Sequence, residues 1–349
     1  MKSFLTAALS ATALVTSAGL ALAEGPLTVT SYGGAYAKSQ ETAFYKPFTA
    51  ATGVEILQDE WDGSTARLKG MVETGQITWD VVDVEPGHAL QGCDEGWLEE
   101  IDYDKIGGRE GYVPGAAMDC AVATIVFGTI FAYDVDKFPQ GGPQTMVDFF
   151  DTAKFPGPRA MRKAPKTTLE MALIGDGVPA AEVYEVLSTP EGVDRAFAKL
   201  DTIKGDVKVW WSAGAQPPQL LADGEVAMST AWNGRIYDAI HNSGKNFKIV
   251  WDGQGMDFNL WAKPVGGKNS ELADRFIAST LQPAPMVVQA GELPHGPTLL
   301  SAIAEVPAEI LAELPTAPQN MENAFVVDAE FWANHDEELT ERFNKWLAQ

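Results

Sequence analysis

Leu27-Thr28-Val29-Thr30-Ser31-Tyr32-Gly33-Gly34-Ala35-Tyr36 decides how the chain is read. The first four residues alternate and carry β-branched side chains, which predicts a strand. Ser31 to Gly34 is a turn, and the helical spacing of Ala43, Phe44, Phe48 and Ala51 predicts a helix over 38–51, stopped by Gly53. A strand over 54–57, a helix from Ser64 to Gly75 and a strand over 79–84 follow. Strand, helix, strand, helix, strand implies right-handed crossovers and a parallel sheet.

Downstream, 121–133 is a nearly continuous apolar run, long enough to pass from one lobe to another. Helices are predicted over 169–174, 180–187, 190–200, 217–223 and 272–281, with strands over 207–211, 226–232 and 246–251. A second crossover is expected at 260–264, a Pro- and Gly-rich loop over 283–297 and a terminal helix over 329–347. The predicted class is therefore α/β: two lobes, each a mostly parallel sheet flanked by helices, joined by crossover strands, with a cleft between them. The expected division is 24–131 plus 262–320 for lobe I and 132–261 for lobe II, with 321–349 packing back on both.

The first 23 residues have the layout of a secretory signal peptide. Lys2 is followed by an uncharged, mostly apolar stretch to Leu22 and by the small residues Ala21 and Ala23. A membrane anchor is the other reading, but six Ser, Thr and Gly residues interrupt the stretch. Cleavage near Ala23 would leave a soluble, periplasmic chain. The net charge of −23 argues against nucleic acid and against anionic membrane surfaces, because too few Lys and Arg face phosphate. Cys93 and Cys120 are the only cysteines. In an oxidising compartment they are most simply one disulfide, stabilising by roughly 3 kcal/mol.

Ligands of open α/β sheets bind at the carboxyl ends of strands. The Gly33-Gly34 turn lets backbone N–H groups approach a guest, and Tyr32 and Tyr36 flank it with flat surface. In Trp232-Asn233-Gly234-Arg235, Trp232 can stack, Asn233 can donate or accept, and Arg235 can hold a carboxylate bidentately. Of Trp210 and Trp211 only one can face the cleft; Trp211 is the candidate. The basic island Arg162-Lys163-Ala164-Pro165-Lys166-Thr167-Thr168 can recognise an anion and cap a helix, with Lys163 and Thr167 as the candidates. Asp62, Glu85 and Asp257 can meet an ammonium. Each also has a plain reading as core, turn or surface. The four histidines have no metal-ligand spacing, and no nucleophile elbow is present. His295, in the Pro/Gly-rich stretch, is the one histidine kept as a candidate. No metal, cofactor or catalytic residue is expected.

With these residues quoted, the mature chain resembles the periplasmic solute-binding proteins of ABC importers, in the spermidine/putrescine-binding branch. Further marks are Trp79-Asp80-Val81-Val82, Gly96-Trp97-Leu98-Glu99-Glu100-Ile101-Asp102, Met171-Ala172-Leu173 and Gly224-Glu225-Val226. The resemblance implies two lobes that close on a small-molecule solute, delivery to membrane permease subunits, a monomer and no chemistry. It aligns Tyr32, Tyr36 and Trp232 with the branch's aromatics. Its carboxylates fall instead on Ala164, Thr167 and Asn259, and an aromatic falls on Asp257. A carboxylate-bearing or zwitterionic solute therefore fits better. A true polyamine receptor is the alternative, and a ferric-ion receptor or a secreted enzyme are lesser ones.

Overall fold

The computed structural model describes residues 25–349, so the leader read at 1–23 lies outside the described residues. Ten strands form one sheet: β1 (Leu27–Ser31), β2 (Ile56–Glu60), β3 (Val81–Val84), β4 (Ala121–Asp134), β5 (Arg159–Arg162), β6 (Val207–Trp211), β7 (Met228–Trp232), β8 (Phe247–Ala262), β9 (Gly296–Pro297) and β10 (Phe325–Val326). Their order is β2-β1-β3-β8-β4-β7-β5-β6, with β9 on β4 and β10 on β8. β1 pairs in parallel with β2 and β3 on one side; β5 pairs in parallel with β6 and β7 on the other. Between these halves run β4 and β8, antiparallel to each other. The protein is thus two α/β lobes, each parallel at its outer edge, sharing two long central strands.

β4 is buried at every residue except its last. A strand covered on both faces needs no polar alternation, which is why its sequence is a plain apolar run. β8 differs from expectation. The strand at 246–251 and the crossover at 260–264 are one 16-residue strand. Gln254, Asp257 and Asn259 hid the continuity because they break the apolar pattern, yet all three are buried. Each has partners: Gln254 donates to the carbonyls of Pro315 and Asn320, Asn259 to Asp83, and Asp257 accepts from Lys166. Thr129 faces Gly255 while Phe131 faces Val250, so the β8 ladder is irregular there.

Two helical expectations also change. The first helix begins earlier, at Gly34, and runs through a π turn at Glu41–Tyr45 to Thr52, where Gly53 adopts φ 76°. Residues 283–292, expected as loop, form the helix Pro283–Glu292. Its prolines fall in the first turn, whose N–H groups need no intrahelical acceptor, so they start the helix and do not break it.

One core gathers Leu27, Phe44, Phe48, Val81, Trp261 and Phe276; another gathers Phe131, Phe149, Met161, Leu173 and Phe197. The C-terminal helix Ala329–Leu347 adds Phe343 and Trp346 to the second. Trp210 packs against those two rings, while Trp211 points the other way, onto Trp232. Cys93 and Cys120 are disulfide-bonded, with Cα atoms 5.6 Å apart. The bridge ties the helix Pro86–Asp94 to the start of β4. No helix among the described residues is long and apolar enough to cross a membrane.

Candidate functional site

The carboxyl ends of β1, β3 and β7 converge with the middle of β8. There Tyr32, Tyr36, Glu85, Phe127, Trp232 and Arg235 line a narrow cavity of about 30 Å³. Gly234, Asn259, Leu293 and His295 complete the wall. The rings of Tyr32 and Trp232 meet edge to face, centroids 6.4 Å apart. Trp211 lies 5.5 Å behind Trp232 and Trp61 lies 5.7 Å beside Tyr32, so both walls are braced by aromatics.

The glycines have a steric reason. Gly33 and Gly34 have φ of 67° and 58°, backbone that L side chains rarely adopt. A Cβ at Gly34 would lie 2.3 Å from Nη1 of Arg235, and one at Gly234 would lie 2.6 Å from Nε2 of His295. Both positions are close approaches between the lobes' elements.

Arg235 reaches from the helix Asn233–His241 back to the first turn. Its Nη2 donates to the carbonyl of Gly33 at 2.8 Å and to that of Tyr32 at 3.3 Å. The guanidinium expected to grip a solute carboxylate thus also spans the cleft. Asn233 serves the frame: it accepts from the N–H of Gly128 and donates to the carbonyl of Pro294.

A charged cluster closes the other side. Lys166 donates to the carboxylate of Glu85 and, at 3.3 Å, to Asp257. All three side chains are nearly buried, at 13%, 5% and 3% exposure. Burial alone would push the Glu85 carboxyl up, but Lys166 and Arg162 outweigh it and hold it low. Asp257 moves the other way, raised by burial, because Lys166 compensates only in part. Burial would lower Lys166, yet the two carboxylates raise it, so it stays charged. The Arg162 guanidinium lies 5.4 Å from the Trp232 ring centroid. His88 and His295 are lowered by burial to about 4 and about 3, so both are neutral near pH 7.

Beneath Tyr36 sits Asp83, which the sequence reading did not select. It accepts from Tyr36, Gln40 and Asn259. Burial raises its carboxyl to about 7 against those hydrogen bonds. An acid inside the apolar run Val81-Val82-Asp83-Val84 was its signal, since a lone buried carboxylate needs donors around it.

The remaining sequence candidates are placed as follows. Lys163 is exposed, and its backbone N–H donates to the Trp211 carbonyl; Lys166, three residues on, is the lysine turned inward. Thr167 is buried but donates to the carbonyl of Lys166, holding the loop. Trp211 backs Trp232 without lining the cavity. Asp62 is exposed, caps the N–H of Ser64, and lines a separate groove with Glu60 and Trp61. Three buried polar atoms on lining residues have no hydrogen-bond partner among the described residues: Tyr32 Oη, Trp232 Nε1 and His295 Nδ1.

Two lobes, a braced aromatic cleft between them and charges of both signs along its walls define a receptor that holds a small polar guest. The family described as bacterial extracellular solute-binding protein matches residues 43–321, and the chain belongs to it. Over 323 residues it is 47% identical to a gamma-aminobutyric acid-binding protein of Pseudomonas aeruginosa, spanning 93% of this chain and 91% of that protein. A solved GABA receptor superposes with a TM-score of 0.81 at 34% identity, covering 93% of this chain and 98% of that one. The periplasmic binding protein MotA of A. tumefaciens, in complex with glucopine, superposes at 0.87 with 31% identity, covering 92% and 99%. The protein is an extracytoplasmic solute receptor of an ABC importer, as the family resemblance implied; its family and relatives are receptors and not enzymes.

Proposed function

We propose that this receptor binds a short ω-amino carboxylic acid, with 4-aminobutyrate as the representative. The observation that carries the reading is the sorting of charge in one closed cleft. Glu85 lines the cleft, with Asp257 behind it across Lys166, and the guanidinium groups of Arg162 and Arg235 stand near Trp232. The solute's ammonium lies toward the two carboxylates. Its carboxylate lies toward the guanidinium groups and the N–H groups that open the helix at Gly34. Its methylenes lie against Tyr32 and Trp232, whose rings, edge to face at 6.4 Å, part to admit the solute, with Tyr32 Oη, Trp232 Nε1 and His295 Nδ1 as further partners. The relatives named for GABA support this reading.

In the same proposal, residues 24–131 with 262–320 form one lobe, 132–261 the other, and 321–349 packs back on both. The leader is cleaved near Ala23, the receptor works as a monomer, and it takes no nucleic acid. Calorimetric titration of the mature chain with 4-aminobutyrate, 1,4-diaminobutane and butyrate tests the ligand. Heat of binding with 4-aminobutyrate and none with the other two is the expected result. Tight binding of the diamine alone would overturn the reading in favour of a polyamine receptor.

A further inference from the structure

Lys166 places an ammonium group between two buried carboxylates. It lies between two carboxylates from separate elements: Glu85, just before the helix Pro86–Asp94, and Asp257 in β8. Its own loop is bent to bring it there. Thr167 has φ 68° and is the only non-glycine residue with positive φ among the described residues. A β-branched residue in that region is strained and persists only where its surroundings over-determine it. The surroundings do so: Thr167 donates to the Lys166 carbonyl at 2.6 Å, and the N–H groups of Thr168 and Leu169 both bond to the carbonyl of Pro165. The backbone conformation that turns Lys166 inward is thus held from both sides.

We infer that Lys166 is a tethered ammonium that limits the solute to one cationic group. The inference rests on the ω-amino acid reading of the same cleft. Glu85 and Asp257 bring two negative charges, and Lys166 between them neutralises one, so the pair cannot match two guest ammonium groups. A diamine's second ammonium finds no acid, and stands against Arg162 and Arg235. Like charges brought together in a dry cleft reject the wrong guest more strongly than missing contacts do. The carboxylates of the polyamine branch are replaced in this chain, and of the two acids that Glu85 and Asp257 supply at other positions, Lys166 already occupies one.

The test uses the mature protein and Lys166→Met, which keeps the stem's volume and removes the charge, with 1,4-diaminobutane and ethylammonium as probes. Lys166→Met is expected to bind 1,4-diaminobutane at least roughly tenfold more tightly than wild type. It is expected to lose affinity for 4-aminobutyrate, with partial recovery in millimolar ethylammonium, which refills the place of the missing group. Lys166→Arg keeps a cation there and is expected to reject the diamine as wild type does. A melting curve establishes that each variant is folded. A folded Lys166→Met that rejects the diamine as fully as wild type overturns the role of Lys166, as does a wild type that binds the diamine. A wild type that binds neither 4-aminobutyrate nor the diamine refutes the ligand reading, while the diamine titration of Lys166→Met still judges the lysine.

Discussion

Arg235 donates to the carbonyl of Gly33 at 2.8 Å, across 202 residues of sequence and across the cleft. Its guanidinium on two backbone carbonyls ties the helix Asn233–His241 to the turn after β1. Arg235 is therefore a clasp as well as a candidate anion partner, and the two roles favour the same state: a solute that needs the halves together gains from a clasp that already holds them.

Arg235→Ala removes both donations. Hydrogen bonds from a charged donor contribute about 1.5–3 kcal/mol each, so affinity is expected to fall at least roughly tenfold. The ligand-free variant is expected to have a larger radius of gyration by small-angle scattering, with its melting point little changed. Equal affinity and equal radius in the two proteins would remove the clasp.

Gly34→Ala tests the same contact from the other side. Its Cβ would meet Nη1 of Arg235 at 2.3 Å, on backbone at φ 58°. The variant is expected to weaken binding as Arg235→Ala does. The double variant is expected to be little worse than either single one, because both damage one contact. Additive losses in that cycle would show that the turn and the guanidinium act separately.

Asp83→Asn probes the buried carboxyl under Tyr36. With its folded-state value raised from the ordinary range to about 7, Asp83 binds its proton more tightly in the folded chain than in the unfolded one. Its contribution to stability is thus complete below about pH 4 and is lost as pH rises through about 7. His88 and His295, both lowered, act in the opposite direction over part of that range, so the difference between variant and wild type is the informative quantity. The stability gap between wild type and Asp83→Asn is expected to narrow by roughly 2–3 kcal/mol from pH 5 to pH 8. A gap that stays constant in urea titrations at the two pH values would contradict the assignment.

Replacing Cys93 and Cys120 together by Ser opens the staple between the helix Pro86–Asp94 and β4. The expected loss is about 3 kcal/mol in denaturant titration, with affinity within a few fold of wild type. A large loss of affinity at full stability would mean that the bridge positions Glu85 and has little part in holding the fold.

The outline of the fold was legible wherever periodicity and glycine punctuation agreed, as at β1, at Gly53 and Gly75, and along β4. It failed in β8, where Gln254, Asp257 and Asn259 look like surface residues until their partners are known. Those partners come from β3, the loop after β5 and residues 315–320, none near in sequence. Tyr32, Glu85, Trp232 and Arg235 could be found as strand ends. Lys166 could not be separated from Lys163, because which lysine turns inward depends on the unusual backbone of Thr167. Asn233 read as a ligand group because its side chain is as apt for two backbone partners as for a guest.

β4 and β8 stay laddered from one lobe into the other over 14 and 16 residues, with their irregularities near 123–125 and 129–131. Two halves carried on one twisted ribbon do not swing like beads on a string. Parting them winds or unwinds that ribbon, a torsional load that yields first where the rungs are uneven. A swing about that ribbon would meet an elastic restoring torque before any guest arrives.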